Sequence, residues 1–278
     1  AIAERQGQHM HDLNYLFRQL FFLTIALPVM LWAAMRDKKQ VLKIAAWGTV
    51  LGIIALFLVA AVGTEVNGAR RWLGPGAFRL QPSEFLKPCF AVAVGWLLSC
   101  KVDDDRLPLY SLSFAITLLV AALLMSQPDF GQTVSFLGTW LVLVFVAGMP
   151  MRFVKWLAAG GVAVVITAYF TYSVARERID IFLFGQGDAF QVERAHATLS
   201  ASGWIGTGPF AGTAKFRLPE AQTDYIFSVI GEEFGLVTCA AIVMLFLAII
   251  VRVLTRLREE RDQFVILAGT GLIAQFGG

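Results

Sequence analysis

Carboxylates and cations placed where loops enter apolar runs are the residues of this sequence best suited to chemistry. The densest such stretch is KFRLPEAQTDYIFSVIGEEFGL at 215–236. A loop with Lys215, Arg217 and Glu220 passes through Pro219 to Asp224, and a long apolar run follows at once. A carboxyl group at that edge sits between water and hydrocarbon, where ionisable groups are costly to bury and read as functional. Glu84 and Lys87 form a second pair, in the first turns of the apolar run 82–100 and on one helical face. They are either an ordinary helix ion pair or a carboxylate and ammonium aimed into an embedded pocket, and spacing alone leaves both open.

Other polar groups cluster nearby in sequence. TEVNGARRWLGPGAFRLQPSEFLKP at 64–88 carries Arg70, Arg71 and Arg79 among turn-forming residues. These cations suit lipid headgroups or an anionic substrate. SQPDFGQT at 126–133 holds Gln127, Asp129 and Gln132 around a Pro-Asp-x-Gly turn signature. It is either a tight turn between helices or a set of polar groups for the same pocket. Gly206–Pro209 resembles a phosphate-cradling loop only superficially, because no strand precedes it. Ser228, Gly231 and Gly235 share one helical face and predict close approach by another helix. Glu232 and Glu233 fall about 12 Å beyond Asp224 along that helix. Pairing with polar groups inside the bundle is their simpler role.

Membrane helices must position these groups. Of the 278 residues 57% are hydrophobic and 15% charged, and the mean hydropathy is +0.67; soluble domains carry about 25% charged residues. Apolar runs cover 20–35 (extendable back to 13), 41–63, 82–100, 111–125, 133–148, 153–174 and 224–254, with another begun at 264. At roughly 20 residues per crossing, the prediction is an all-α, polytopic transmembrane bundle of about seven and a half helices. Pro28 is expected to kink the first helix, and Pro82 to open the third at a position where its missing N–H costs nothing. The chain starts without Met and ends within an apolar run, which suggests a fragment missing helices at both ends.

Residues 1–278 read as one membrane domain. The positive-inside rule, weighted toward short loops, puts the cations from Arg36 to Lys43 inside, and loops 64–81 and 175–222 outside. Insertion alone leaves the outside cations Arg70, Arg71, Arg79 and Lys87 unexplained. The segment 175–222 is long enough to be functional in its own right, and it forms the approach to Asp224. Cys89, Cys100 and Cys239 lack CxxC spacing, and His9, His11 and His196 form no ligand cluster, so neither a disulfide framework nor a zinc site is indicated. A net charge of +3 is too small to argue for nucleic acid.

ARRWLGPGAFRLQPSEFLKP (69–88), SQPDFGQT (126–133) and RLPEAQTDYIFSVIGEEFG (217–235) resemble the signature segments of the SEDS family, which includes FtsW and RodA. Their order and the intervening helices fit as well, so the resemblance spans essentially the whole chain. The wording of 66–88 and 217–235 is nearer to the FtsW, division branch. The resemblance implies a ten-helix glycosyltransferase of the bacterial inner membrane, its site facing the periplasm. Its substrate would be lipid II, the undecaprenyl-pyrophosphate-linked disaccharide pentapeptide, polymerised into glycan strands. The implied partners are a class B penicillin-binding transpeptidase and other divisome or elongasome membrane proteins. On this map Asp224 is the catalytic acid residue of LPE-x-x-TD, and Glu84 and Lys87 are the SE-x-x-K pair. Arg70, Arg71, Arg79, Gln81, Ser83, Gln127, Asp129, Gln132, Glu220 and Thr223 would bind substrate. Gln222 stands where the family often has His, which removes an imidazole but leaves the carboxylate. No cofactor is required; Glu84 would either hold Lys87 or help bind a divalent ion such as Mg or Mn.

Two other functions fit a polar intramembrane cavity. A lipid II flippase would carry charges through the full thickness, and Glu232 and Glu233 are the residues that favour it. A non-catalytic scaffold for the transpeptidase would need no buried charge at all.

Overall fold

The computed structural model describes residues 13–66, 69–74, 80–103, 108–127, 129–171, 176, 180, 198–199, 203–209, 211–214 and 225–277. The helices are α1 (Leu13–Ala34), α2 (Lys38–Val62), α3 (Pro82–Asp103), α4 (Leu109–Ser126), α5 (Phe130–Val146), α6 (Met151–Thr171), α7 (Ile226–Glu259) and α8 (Gln263–Gly277). Among the described residues, five helices (α2, α3, α4, α6 and α7) are long and apolar enough to cross a membrane. Shorter apolar helices occupy 19–34, Phe130–Val146 and Gln263–Gly277. The chain is therefore an all-α, multi-pass membrane bundle, with helix boundaries close to those the apolar runs predict. Every described side chain of α1 is exposed, as befits an apolar helix that faces lipid.

One departure lies in the 64–81 loop, which contains a β-hairpin. Strands β1 (Thr64–Val66) and β2 (Ala69–Trp72) pair antiparallel. The signal was present in the sequence, since two residues, Asn67 and Gly68, separate the strands, and Asn-Gly is the pair two-residue hairpins favour. α1 carries Pro28 within its helical span. In α7 the helical geometry is interrupted at Gly235.

The chain divides into two compact units, Ala1–Val41 with Gly185–Leu245 and Leu42–Phe184 with Phe246–Gly278. The second holds the apolar core, where Leu86, Phe90, Val94 and Leu98 of α3 meet Val120 and Leu124 of α4, Phe136 and Leu143 of α5, and Leu267 of α8. Glycines set the close approaches. A methyl group added at Gly52 would strike Leu86, and one at Gly95 would meet the α8 backbone at Ala268. Phe90 and Phe136 pack edge to face with centroids 5.0 Å apart. Polar side chains in this core are satisfied locally. Thr49, Thr117 and Thr133 donate to the carbonyls of Ala45, Ser113 and Asp129 one turn back, and Trp140 Nε1 donates to Ser113 Oγ at 3.1 Å. That matters because an unsatisfied polar group costs several kcal/mol in hydrocarbon.

The first unit is organised by the break in α7. Gly235 adopts φ 85° and ψ 171°, a region essentially reserved for glycine. The break frees backbone groups, and the loop at 203–208 takes them up. Thr207 and Gly208 donate their N–H groups to the carbonyls of Glu232 and Glu233 at 2.9 and 3.0 Å. Leu236 and Val237 donate to the carbonyls of Gly203 and Trp204 at 3.1 and 3.3 Å. Ser228, Gly231 and Gly235 do share a buried face, approached by a helical residue at Gly231 and by loop backbone at Gly235. The Leu199 side chain abuts Gly231, and loop backbone at Trp204 and Gly206 abuts Gly235. A helix cannot offer free N–H and C=O groups to a break; an irregular loop can.

Gly235→Ala should therefore destabilise the protein by about 1–3 kcal/mol from backbone strain, with the contact to Trp204 O adding to that. Gly138→Ala, where nothing lies within 4 Å of the added methyl, should be neutral or gain up to about 1 kcal/mol from helix propensity. Thermal unfolding of both variants in one detergent checks this. Equal melting temperatures would mean that the break carries no strain.

Candidate active site

The hairpin, the start of α3 and the α4–α5 junction bring together residues far apart in sequence. After β2, an isolated bridge between Leu73 and Leu80 closes the excursion through two backbone hydrogen bonds of 2.9 Å. Arg71 and Gln81 thus flank the start of α3. Pro82 is the first residue of that helix, and the Glu84 N–H bonds the Gln81 carbonyl at 3.2 Å. Ser83 is buried and Glu84 exposed in the same turn.

Lys87 Nζ donates to both oxygens of Glu84, at 3.1 and 3.0 Å. The pair is accessible, with side-chain exposures of 24% for Lys87 and 50% for Glu84. Gln132, one turn into α5, donates its amide to Glu84 Oε1 as well. The Gln132 carbonyl oxygen is buried and, among the described residues, has no hydrogen-bond partner. With both Glu84 oxygens bonded to Lys87, this carboxylate suits holding the ammonium better than holding a divalent ion. Among the described residues no group of three or more His, Cys, Asp or Glu could hold a metal.

A second, more buried pair lies beside the first. Asp129 occupies the N-cap position of α5, yet its carboxylate makes no capping bond. It instead accepts from Gln81 Nε2 at 3.3 Å and faces Arg71 Nε at 3.7 Å. Its carbonyl receives the N–H and hydroxyl of Thr133 at 3.1 and 2.8 Å, so the cap position is satisfied through the main chain. Gln127, at the end of α4, is buried and donates to the Leu56 carbonyl of α2 at 3.0 Å. Its amide anchors the junction to α2.

Of the residues singled out in the sequence, Gln81, Glu84, Lys87, Arg71, Asp129 and Gln132 meet in one constellation. Ser83 and Gln127 are buried beside it, and Arg70 is exposed on β2. Arg79, Glu220, Thr223 and Asp224 lie outside the described residues. The pairings themselves, Gln132 with Glu84 and Arg71 with Asp129, had no signal in spacing, because each joins elements dozens of residues apart.

The family model for the FtsW, RodA and SpoVE cell cycle proteins matches residues 2–276. A protein of Caulobacter vibrioides described as a probable peptidoglycan glycosyltransferase FtsW is 33% identical over 279 residues, covering 100% of this chain and 71% of its own. A protein of the same description from Nitrosococcus halophilus is 33% identical over 271 residues, covering 91% of this chain and 67% of its own. Among solved structures, a chain from a study of how a peptidoglycan synthase complex coordinates polymerisation and crosslinking superimposes with a TM-score of 0.78 at 27% identity, covering 96% of this chain and 76% of that one. The rod shape determining protein RodA of Thermus thermophilus shares the fold, with a TM-score of 0.67 at 23% identity over 94% of this chain and 72% of that one.

The two carboxylates should respond differently to neutralisation. Asp129→Ala removes a buried carboxylate that accepts from Gln81 and faces Arg71, and should cost about 1–3 kcal/mol. Glu84→Gln removes an accessible pair worth well under about 1 kcal/mol of stability. Melting temperatures that fall equally in the two variants would contradict the burial difference.

Proposed function

The chain belongs to the FtsW, RodA and SpoVE family of cell cycle proteins, and from that premise we propose a peptidoglycan glycosyltransferase that extends glycan strands during cell division. The substrate is lipid II, the enzyme lies in the bacterial inner membrane with its site toward the periplasm, and the whole chain forms one catalytic membrane domain. A class B penicillin-binding transpeptidase is its partner, with other division proteins around the pair. The observation that carries this reading is the accessible Lys87–Glu84–Gln132 group beside the Arg71–Asp129 pair.

The chemistry assigns each group a task. The acceptor sugar's 4-hydroxyl attacks the anomeric carbon of the donor, and undecaprenyl pyrophosphate leaves. Asp224 takes the hydroxyl proton as general base. Lys87, with Arg70, Arg71 and Arg79, stabilises the negative charge that develops on the departing pyrophosphate. Glu84 holds Lys87 in place, and Gln132 donates its amide to Glu84 and steadies that carboxylate at the substrate's edge. Gln81 and Asp129 orient Arg71, while Ser83, Gln127, Glu220 and Thr223 complete the walls. A transport function leaned on charge deep in the helix, and Glu232 there already bonds a protein amide.

Polymerisation of purified lipid II by the full-length protein with its transpeptidase tests the assignment. Asp224→Asn and Asp224→Ala should each lower turnover by about 10²–10⁴-fold, with transpeptidase binding unchanged; polymerisation at the normal rate in either would remove Asp224 from the base role. Lys87→Met should lower turnover about 10²-fold, the scale seen when one preorganised donor to developing charge is lost.

A further inference from the structure

The loop at 203–208 satisfies its backbone on α7 and turns its largest side chains outward. Its carbonyls at Gly203 and Trp204 accept from Leu236 and Val237, and its amides at Thr207 and Gly208 donate to the carbonyls of Glu232 and Glu233. Trp204 and Ile205, at the turn, are 76% and 84% exposed. Gly203 and Gly206, with φ of 59° and 81°, flank them, and the bonds that fasten the loop to the break use neither side chain. Beside the tip on α7, Phe234, Leu236 and Val237 are exposed as well. In water such a surface would forgo the free energy of burying large apolar groups. In a bilayer it is covered.

The depth of the loop follows from α7 itself. Glu233 and Arg252 bound a run, Phe234 to Val251, that holds no charged residue. At 1.5 Å per residue the run measures about 27 Å, against a hydrocarbon core about 30 Å thick. Gly235 stands within one turn of Glu233, so the break lies at one edge of the hydrocarbon, and the loop bonded to it lies there too. Tryptophan is enriched at this boundary, with its ring among acyl chains and its N–H toward the headgroups.

We propose that Trp204 and Ile205 are a membrane anchor: docked on the break in α7, they enter the boundary between headgroups and acyl chains in the leaflet opposite Arg252. Depth along α7, exposure and side-chain type all point to lipid as the occupant of this surface. Residues 203–208 include no Lys or Arg, so what they meet is the apolar boundary and not a headgroup charge. The loop satisfies the interrupted backbone of α7, and lipid in turn covers the loop. The inference is separate from glycosyl transfer and from the role of Asp224.

The test uses the full-length protein in phosphatidylcholine vesicles, with the emission of Trp204 taken as the difference between the parent and Trp204→Phe. That component should be quenched strongly by phosphatidylcholine brominated near the headgroup end of its acyl chain. Lipid brominated near the chain terminus should quench it less, and aqueous iodide hardly at all. Ile205→Trp in the Trp204→Phe background should restore a component with the same order of quenching, which makes the result independent of the native tryptophan. Quenching by iodide, with none by either brominated lipid, puts the tip in water and overturns the proposal. Iodide quenching that disappears only when the transpeptidase is added overturns it too, because the surface would then belong to a protein partner. Quenching strongest near the chain terminus places the loop at the bilayer centre and contradicts the depth along α7.

Discussion

The reciprocal hydrogen bonds between the break in α7 and the loop at 203–208 are the constraint on which the organisation of this protein rests. A helix interrupted within a membrane exposes N–H and C=O groups that hydrocarbon cannot satisfy. Here two loop amides bond the carbonyls before the break, and two loop carbonyls bond the amides after it. Glycines at 206 and 235, both with positive φ, let the two backbones come close enough for this to happen. The consequence is that an otherwise irregular segment is pinned to a membrane helix.

The second unit solves a related problem with side chains. Its hairpin, the start of α3 and the α4–α5 junction all end in polar residues that must be satisfied where helices terminate. Gln127 does so by bonding the α2 backbone, and Asp129 by accepting from Gln81 and facing Arg71. These buried contacts set the frame. Glu84 and Lys87 stand at its accessible edge and contribute little to stability. Arg71 and Lys87 are almost equally exposed, at 25% and 24%, so the difference in burial between the two pairs lies in their carboxylates.

Pyrophosphate departure calls for cations held against repulsion and desolvation, and proton abstraction calls for a carboxylate on a well-held segment. Arg71 and Lys87 are each held by a carboxylate of their own.

Much of this was legible in the amino-acid sequence because it depends on composition and short-range pattern. Apolar runs of membrane-crossing length located the helices, as α2, α3 and α7 illustrate, and Asn-Gly between two short strands carried the hairpin signal. The i,i+3 spacing of Glu84 and Lys87 put them on one face, and they do pair. Tertiary structure alone decided what met what. No local pattern links Gln132 to Glu84, Arg71 to Asp129, or Glu232 to Ala214, since each contact joins elements separated by a turn, a helix or a loop. The small residues Ser228, Gly231 and Gly235 announced a close approach but could not say that the helical Leu199 would meet Gly231 while loop backbone met Gly235. Periodicity reports which face of a helix is buried; the identity of the partner depends on where the rest of the chain can supply hydrogen bonds.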